Sequence, residues 1–205
     1  MDLNYSKLNI KILAPTIIIG IAIVVLAISF QIVSIPATTV STVVVDFEST
    51  ELSIMETNGV KHSIPLDKIK GGGPPKDGIP SIDNPIFADV QNSQFMSDSD
   101  TVIGLEINGE VKAYPIFILV WHEIANDVIA GDPIAVTYCP LCGSGIAYYR
   151  VLNDGRVTRM GTSGKLFNSN LVMYDETTDT YWQQIDGKAI VGELTGYELK
   201  ELTVD

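Results

Sequence analysis

From Thr101 onward a turn signal interrupts the chain about every ten residues, and this rhythm restricts it to a β-rich fold more firmly than any other feature. The clearest instance is Asn108-Gly109 between TVIGLEI and EVKAYPI, where both turn positions need positive φ and a hairpin is expected. From Ile116 to Ile129 apolar residues fall at 117, 120, 121, 124, 125 and 128, a spacing that predicts the main helix, ended by Gly131. On such a helix His122 and Asn126 would share a face, as would Glu123 and Asp127. Ile134 to Tyr138 reads as a buried strand leading to Cys139. IAYYRVL turns at Asn153-Asp154-Gly155 into RVTRM, and Leu171 to Tyr174, Tyr181 to Ile185 and Lys188 to Leu194 follow as short strands. The class expected is mainly β (α+β): an antiparallel β-sandwich or barrel-like domain with one principal helix.

The N-terminal part is of a different kind. No charge occurs from Ile12 to Val45, and at about 1.5 Å per residue a helix over 12–35 is long enough for a hydrocarbon core of roughly 30 Å. Lys7 and Lys11 precede it while Asp46, Glu48 and Glu51 follow, so residues 1–11 are expected in the cytoplasm and the rest outside. A cleaved signal peptide is the competing reading; Ile35-Pro36-Ala37-Thr38 is a poor cleavage site and favours an anchor. Residues 36–63 then form a tether and first strands, with a small hairpin at Asn58-Gly59, and 64–205 the extracytoplasmic domain. The net charge of −12, from 25 acidic against 13 basic residues, excludes a nucleic-acid partner; the membrane, and with it a membrane-protein complex, is the expected environment.

Two cysteines and two histidines limit the chemistry. In Cys139-Pro140-Leu141-Cys142-Gly143 the residues that follow are glycine-rich and then strand-like. A turn between strands is expected there, rather than the helix start that lowers the thiol pKa in thioredoxin-like proteins. The turn resembles a zinc-ribbon knuckle, but one knuckle supplies two ligands. The expected function is therefore metal handling or redox at a transition-metal site of Cys139, Cys142 and His122, completed by Glu123, Asp127, His62, Met173 or a small ligand, with copper ahead of zinc because two sulfurs and an imidazole suit it. In that set Glu123 or Asp127 orients the imidazole. Two other readings use the same sulfurs: a thiol-disulfide oxidoreductase with Cys139 as the exposed attacking thiolate and His122 lowering its pKa, or a non-catalytic subunit with a structural disulfide. Trp121 is expected in the core and His62 on the surface. The loop IPLDKIKGGGPPKDGIPSIDNP is either a spacer or a rigid cover over a site.

The motifs Gly72-Gly73-Pro74-Pro75-Lys76-Asp77-Gly78-Ile79-Pro80, Trp121-His122-Glu123-Ile124 with Asn126-Asp127, and Thr137-Tyr138-Cys139-Pro140-Leu141-Cys142-Gly143 occur in one order. Asn168-Ser169, Leu171-Val172-Met173-Tyr174-Asp175 and Trp182 continue it. Together, over about Pro65 to Gly196, they resemble a bacterial and archaeal family catalogued as a domain of unknown function, marked by W-H-E-x-x-N-D and T-Y-C-P-L-C-G. The resemblance implies that His122, Cys139, Cys142, the Lys76-Asp77 loop and the Asn168-Ser169 segment wall one pocket, with Asn126 and Trp182 also in the pattern. It also implies further strands beyond Asp205, so a shortened or incomplete member is expected.

Overall fold

Residues 53–202 are described by the computed structural model of the protein. The expected membrane helix over 12–35 lies outside them, as does most of the tether. Among the described residues no helix is long and apolar enough to cross a membrane. In chain order, β1 (Met55–Thr57) and β2 (Val60–His62) pair around Asn58-Gly59, and β3 (Lys70–Gly71) and β4 (Ile82–Asp83) bracket the glycine-proline loop. Next, β5 (Val102–Ile107) and β6 (Glu110–Pro115) form the hairpin expected at Asn108-Gly109, and α1 (Ile116–His122) follows at once. Then come β7 (Ile124–Ile129), β8 (Asp132–Cys139), β9 (Ser144–Tyr149), β10 (Met160–Phe167), β11 (Asn170–Asp175), β12 (Tyr181–Gln183) and β13 (Ala189–Val191). Among the described residues the mainly β class with one α-helix is observed.

The strands form a seven-stranded antiparallel sheet in the order β1-β2-β13-β12-β11-β10-β3, a four-stranded sheet in the order β4-β7-β8-β9, and the separate β5-β6 hairpin. Within the four-stranded sheet only β4 and β7 run parallel. That sheet is covered on both faces. Ile124, Ala135, Cys139 and Tyr148 meet Met160, Leu171, Met173 and Trp182 of the seven-stranded sheet in one core. Ala125, Ile129, Ile134, Val136 and Ala147 meet Ile103, Leu105, Ile107, Tyr114 and Leu119 of the hairpin and helix in the other.

This double burial explains the main departure from expectation. The helix stops at His122, and Ile124–Ile129 is a strand paired antiparallel with β8. A strand buried on both faces shows no alternation of apolar and polar residues, so its apolar positions merged with those of α1 into one helical spacing. Glu123 makes the break. Its φ of 58° leaves helical space, while its N–H still closes the last turn on the Leu119 carbonyl and its carbonyl accepts from the Tyr138 N–H at 2.7 Å.

His122 and Asn126 therefore do not share a helix face. Alternation along β7 sends Asn126 and Asp127 to opposite sides. Asn126 donates to the Met160 carbonyl and accepts from the Met160 N–H, both at 2.9 Å, and also donates to Asp83. It fastens the middle sheet to β10. On the other side buried Asp127 accepts from the Lys112 ammonium at 3.0 Å, from the Tyr114 hydroxyl at 2.6 Å and from the Val128 N–H. Asn126→Ala would strand two backbone groups inside the protein and is expected to lower stability by about 2–5 kcal/mol. Chemical denaturation would show this as a lower midpoint at an unchanged slope, and a loss under about 1 kcal/mol would contradict the clamp.

Candidate functional site

Register decides how the two cysteines are presented. Cys139 stands opposite Ser144 in the β8-β9 pair, leaving Pro140 to Gly143 as the connection, the turn between strands expected from the sequence. Gly143 has φ 63°, where a side chain would be strained, and its N–H returns to the Cys139 carbonyl at 2.9 Å. Cys139 faces the core between the two sheets and is 1% exposed, whereas Cys142 lies in the turn and is exposed. Both are free thiols within hydrogen-bonding reach of each other. The expected order is thus reversed: Cys142, and not Cys139, is the sulfur open to a reactant.

A buried polar network supports Cys142, and its donors and acceptors can be assigned from its fixed ends. Thr137 donates its hydroxyl to the Ile146 carbonyl at 2.7 Å, so it accepts from Gln184 Nε2 at 3.0 Å; the same Nε2 also reaches the Ser144 carbonyl. Gln184 Oε1 is therefore an acceptor, and takes hydrogen bonds from Asn170 Nδ2 at 2.8 Å and from the Ser144 hydroxyl at 2.9 Å. Asn170 Oδ1 is held by the Ile185 N–H at 3.0 Å, which turns its amide so that Nδ2 also faces Cys142 Sγ at 3.3 Å. The sulfur is being offered a donor. With its proton on Gln184, the Ser144 hydroxyl, 3.0 Å from Cys142, accepts from the neutral thiol and turns to donate when the sulfur ionises.

The two thiols are pushed apart in acidity. Burial opposes ionisation of Cys142, but the Ser144 hydroxyl, the Cys139 thiol, the Asn170 amide and the Ser144 N–H outweigh it and hold this thiol below the ordinary range. Cys139 is raised, first by burial, then by donating to Cys142; the N–H groups of Cys142 and Leu171 only partly offset this. The pair is an exposed thiolate former with a protonated thiol beneath it.

The other residues singled out in the sequence lie elsewhere. His122 bonds through Nδ1 to the Pro80 carbonyl at 2.8 Å. Among the described residues no group of three His, Cys, Asp or Glu side chains is placed to hold a metal ion. Burial raises the Glu123 carboxyl, and Asn126 and Asp127 make the structural contacts given above. Met173 and Trp182 are core residues paired across β11 and β12, with Trp182 Nε1 donating to Asp175. His62 is 5% exposed, held between the Thr57 hydroxyl and the Ile64 carbonyl, because it lies on a strand and not in the expected surface loop. Trp121 is 76% exposed, because it lies with Phe117 and Val120 on the outer face of α1, away from buried Leu119.

Lys76 and Asp77 belong to a fixed loop on the seven-stranded sheet. Gly72 N–H reaches the Gly164 carbonyl, Asp77 N–H the Thr162 carbonyl, and the Thr162 hydroxyl the Ile79 carbonyl. Lys76 pairs with Asp179 and lies 3.8 Å from the Tyr174 ring centroid, Asp77 accepts from the Tyr174 hydroxyl, and Arg159 pairs with Asp83. These side chains bind one another and neither sulfur. Asn168 and Ser169, at φ 49° and 62°, make the two-residue turn between β10 and β11, and the Ser169 carbonyl lies 4.0 Å from Cys139 Sγ. Of the expected pocket walls, this segment is the one that reaches the cysteines.

The sequence reading missed Ser144, Asn170 and Gln184. Ser144 and Asn170 sit next to motifs already noted, and a polar side chain at the start of a strand was a usable signal. For Gln184 there was none, because its role depends on two sheets meeting.

Residues 76–205 match the family described as Protein of unknown function (DUF3179), and the chain belongs to it. No curated protein and no solved structure matches the chain.

Removing the Asn170 donor should raise the Cys142 pKa. The pH dependence of alkylation of Cys142 is expected to move to higher pH in Asn170→Ala and to stay in place in His122→Ala. A shift of equal size in the histidine variant would return His122 to the site.

Proposed function

We propose that this member of the family is a thiol-disulfide exchange protein, held outside the cell membrane by an N-terminal anchor, with Cys142 as the attacking thiolate and Cys139 as the resolving thiol. One observation carries the reading: an exposed sulfur is offered neutral donors by Asn170 and Ser144 while a second, buried thiol lies within its reach. Stabilising the thiolate raises the fraction ready to attack, and a buried resolving thiol cannot be captured by the substrate first.

In the step proposed, the Cys142 thiolate attacks one sulfur of a substrate disulfide and forms a mixed disulfide. The substrate's other sulfur leaves as a thiolate and takes a proton from water. Cys139 then attacks Cys142 Sγ, its proton passing through water to the departing substrate sulfur, which leaves as the second substrate thiol while a Cys139–Cys142 disulfide remains. Two electrons have passed from the protein to the substrate, and a second dithiol, acting in reverse, restores the starting state.

The test is exchange with a model disulfide followed by trapping. Cys142→Ser is expected to abolish exchange, and Cys139→Ser to stop at a stable mixed disulfide on Cys142. If Cys139 instead carries the adduct in the native chain, the assignment of roles is wrong.

A second reading, metal handling, rests on a separate feature. The backbone N–H groups of Cys142 and Leu171 favour the ionised form of Cys139, and that of Ser144 the ionised form of Cys142, a bias that suits thiolates holding a soft cation. Copper as Cu(I) is favoured over zinc, because two sulfurs satisfy it more fully than they satisfy a tetrahedral ion. His122 would join as third ligand only by turning toward the sulfurs. Anaerobic titration is expected to show one Cu(I) per chain, lost in either cysteine variant and weakened in His122→Ala if the imidazole ligates. Failure to retain copper against a weak chelator would dismiss this reading.

A further inference from the structure

We propose that the substrate of the Cys142 site is a cysteine within an apolar, unfolded polypeptide segment rather than glutathione, an inference that rests on the exchange reading above. The rim of the site carries the argument. Leu141, the neighbour of Cys142, is 67% exposed, and Ile185 is 44% exposed. Ile185 is joined to the sulfur through a single residue: its N–H holds Asn170 Oδ1, and Nδ2 of the same amide faces Cys142 Sγ. Two exposed aliphatic residues thus adjoin the site, one next to Cys142 in the chain and the other bonded to the amide that faces its sulfur.

Their backbone does not let them withdraw. Leu141 sits in a connection closed by the Gly143 N–H on the Cys139 carbonyl. Ile185 leaves β12 between the Gln184 N–H bonded to the Leu171 carbonyl and the Gly187 N–H bonded to the Gln183 carbonyl. A partner that covers them gains apolar burial without having to order the loops first.

Charge points the same way. The groups that hydrogen-bond to Cys142 are a thiol, a hydroxyl, a side-chain amide, a backbone N–H and the Cys139 carbonyl, all neutral. The next ionisable residue beyond Ile185 is Asp186, already paired with Lys188 at 3.4 Å. Glutathione has more carboxylates than ammonium groups and needs cationic partners, whereas this chain carries a net charge of −12. A cysteine flanked by apolar residues has the complementary surface. Such a cysteine is buried in a folded protein, so the segment that reaches Cys142 is one not yet folded or one that has opened.

The experiment uses the full chain in detergent, with the Cys139→Ser substitution to arrest the reaction at the mixed disulfide, and three probes. These are glutathione disulfide, a neutral peptide disulfide with leucines flanking the cysteine, and the same peptide with serines in their place. The leucine peptide is expected to react at least about tenfold faster than the serine peptide and than glutathione disulfide. The double variant Leu141→Ser, Ile185→Ser should bring the leucine-to-serine rate ratio down to that of free cysteine, and Leu141→Met with Ile185→Val should restore it. If all three probes react equally, yet faster than with free cysteine, the substrate class is wrong and exchange stands. If no probe reacts faster than with free cysteine, the exchange reading itself is overturned.

Discussion

Strands β7 and β8 are covered on both faces, so every polar group they carry must find its partner inside the protein. The rest of the structure follows from meeting that demand. On one side Asp127 gathers Lys112 and Tyr114 and fixes the β5-β6 hairpin; on the other Asn126 clamps the backbone of Met160 and fixes the seven-stranded sheet. Thr137, two residues before Cys139, takes Gln184 from the facing sheet. Among the described residues no buried side-chain nitrogen or oxygen lacks a hydrogen-bond partner.

The same constraint creates the difference between the two thiols. Cys139 is the last inward residue of β8 and lies in the core, while Cys142, three residues on, has left the sheet. Gln184 meets the needs of Thr137, Ser144 and Asn170 at once, and in doing so aims an Asn170 N–H at the exposed sulfur. A residue that stabilises the junction of two sheets thereby sets the reactivity of a thiol on its rim. Structure and chemistry share one set of hydrogen bonds here, so a change at Gln184 acts on both.

Membership in a family of unknown function assigns no chemistry. Within the W-H-E-x-x-N-D motif, Asn126 and Asp127 hold layers together, Glu123 breaks the chain out of the helix, and His122 binds a loop carbonyl. The T-Y-C-P-L-C-G motif is of another kind. It contributes a buried anchor at Thr137, a core thiol and an exposed one.

The turns were legible because they depend on local backbone energetics. Asn58-Gly59, Asn108-Gly109 and the cysteine connection each announce a conformation that few residues adopt, and each is where local preference put it. The mainly β class followed from their spacing. The state of residues 124–129 was not legible, since a strand buried on two sides and a helix buried along one show similar apolar runs, and the sequence does not say how many layers will cover it. Nor was it legible which cysteine would face solvent or that His122 would turn to Pro80. The first depends on β8 meeting Asn170 and Gln184 across a sheet interface and the second on the loop at Pro80 reaching the end of α1, and pairings so distant along the chain are decided by packing and register, not by the residues beside them.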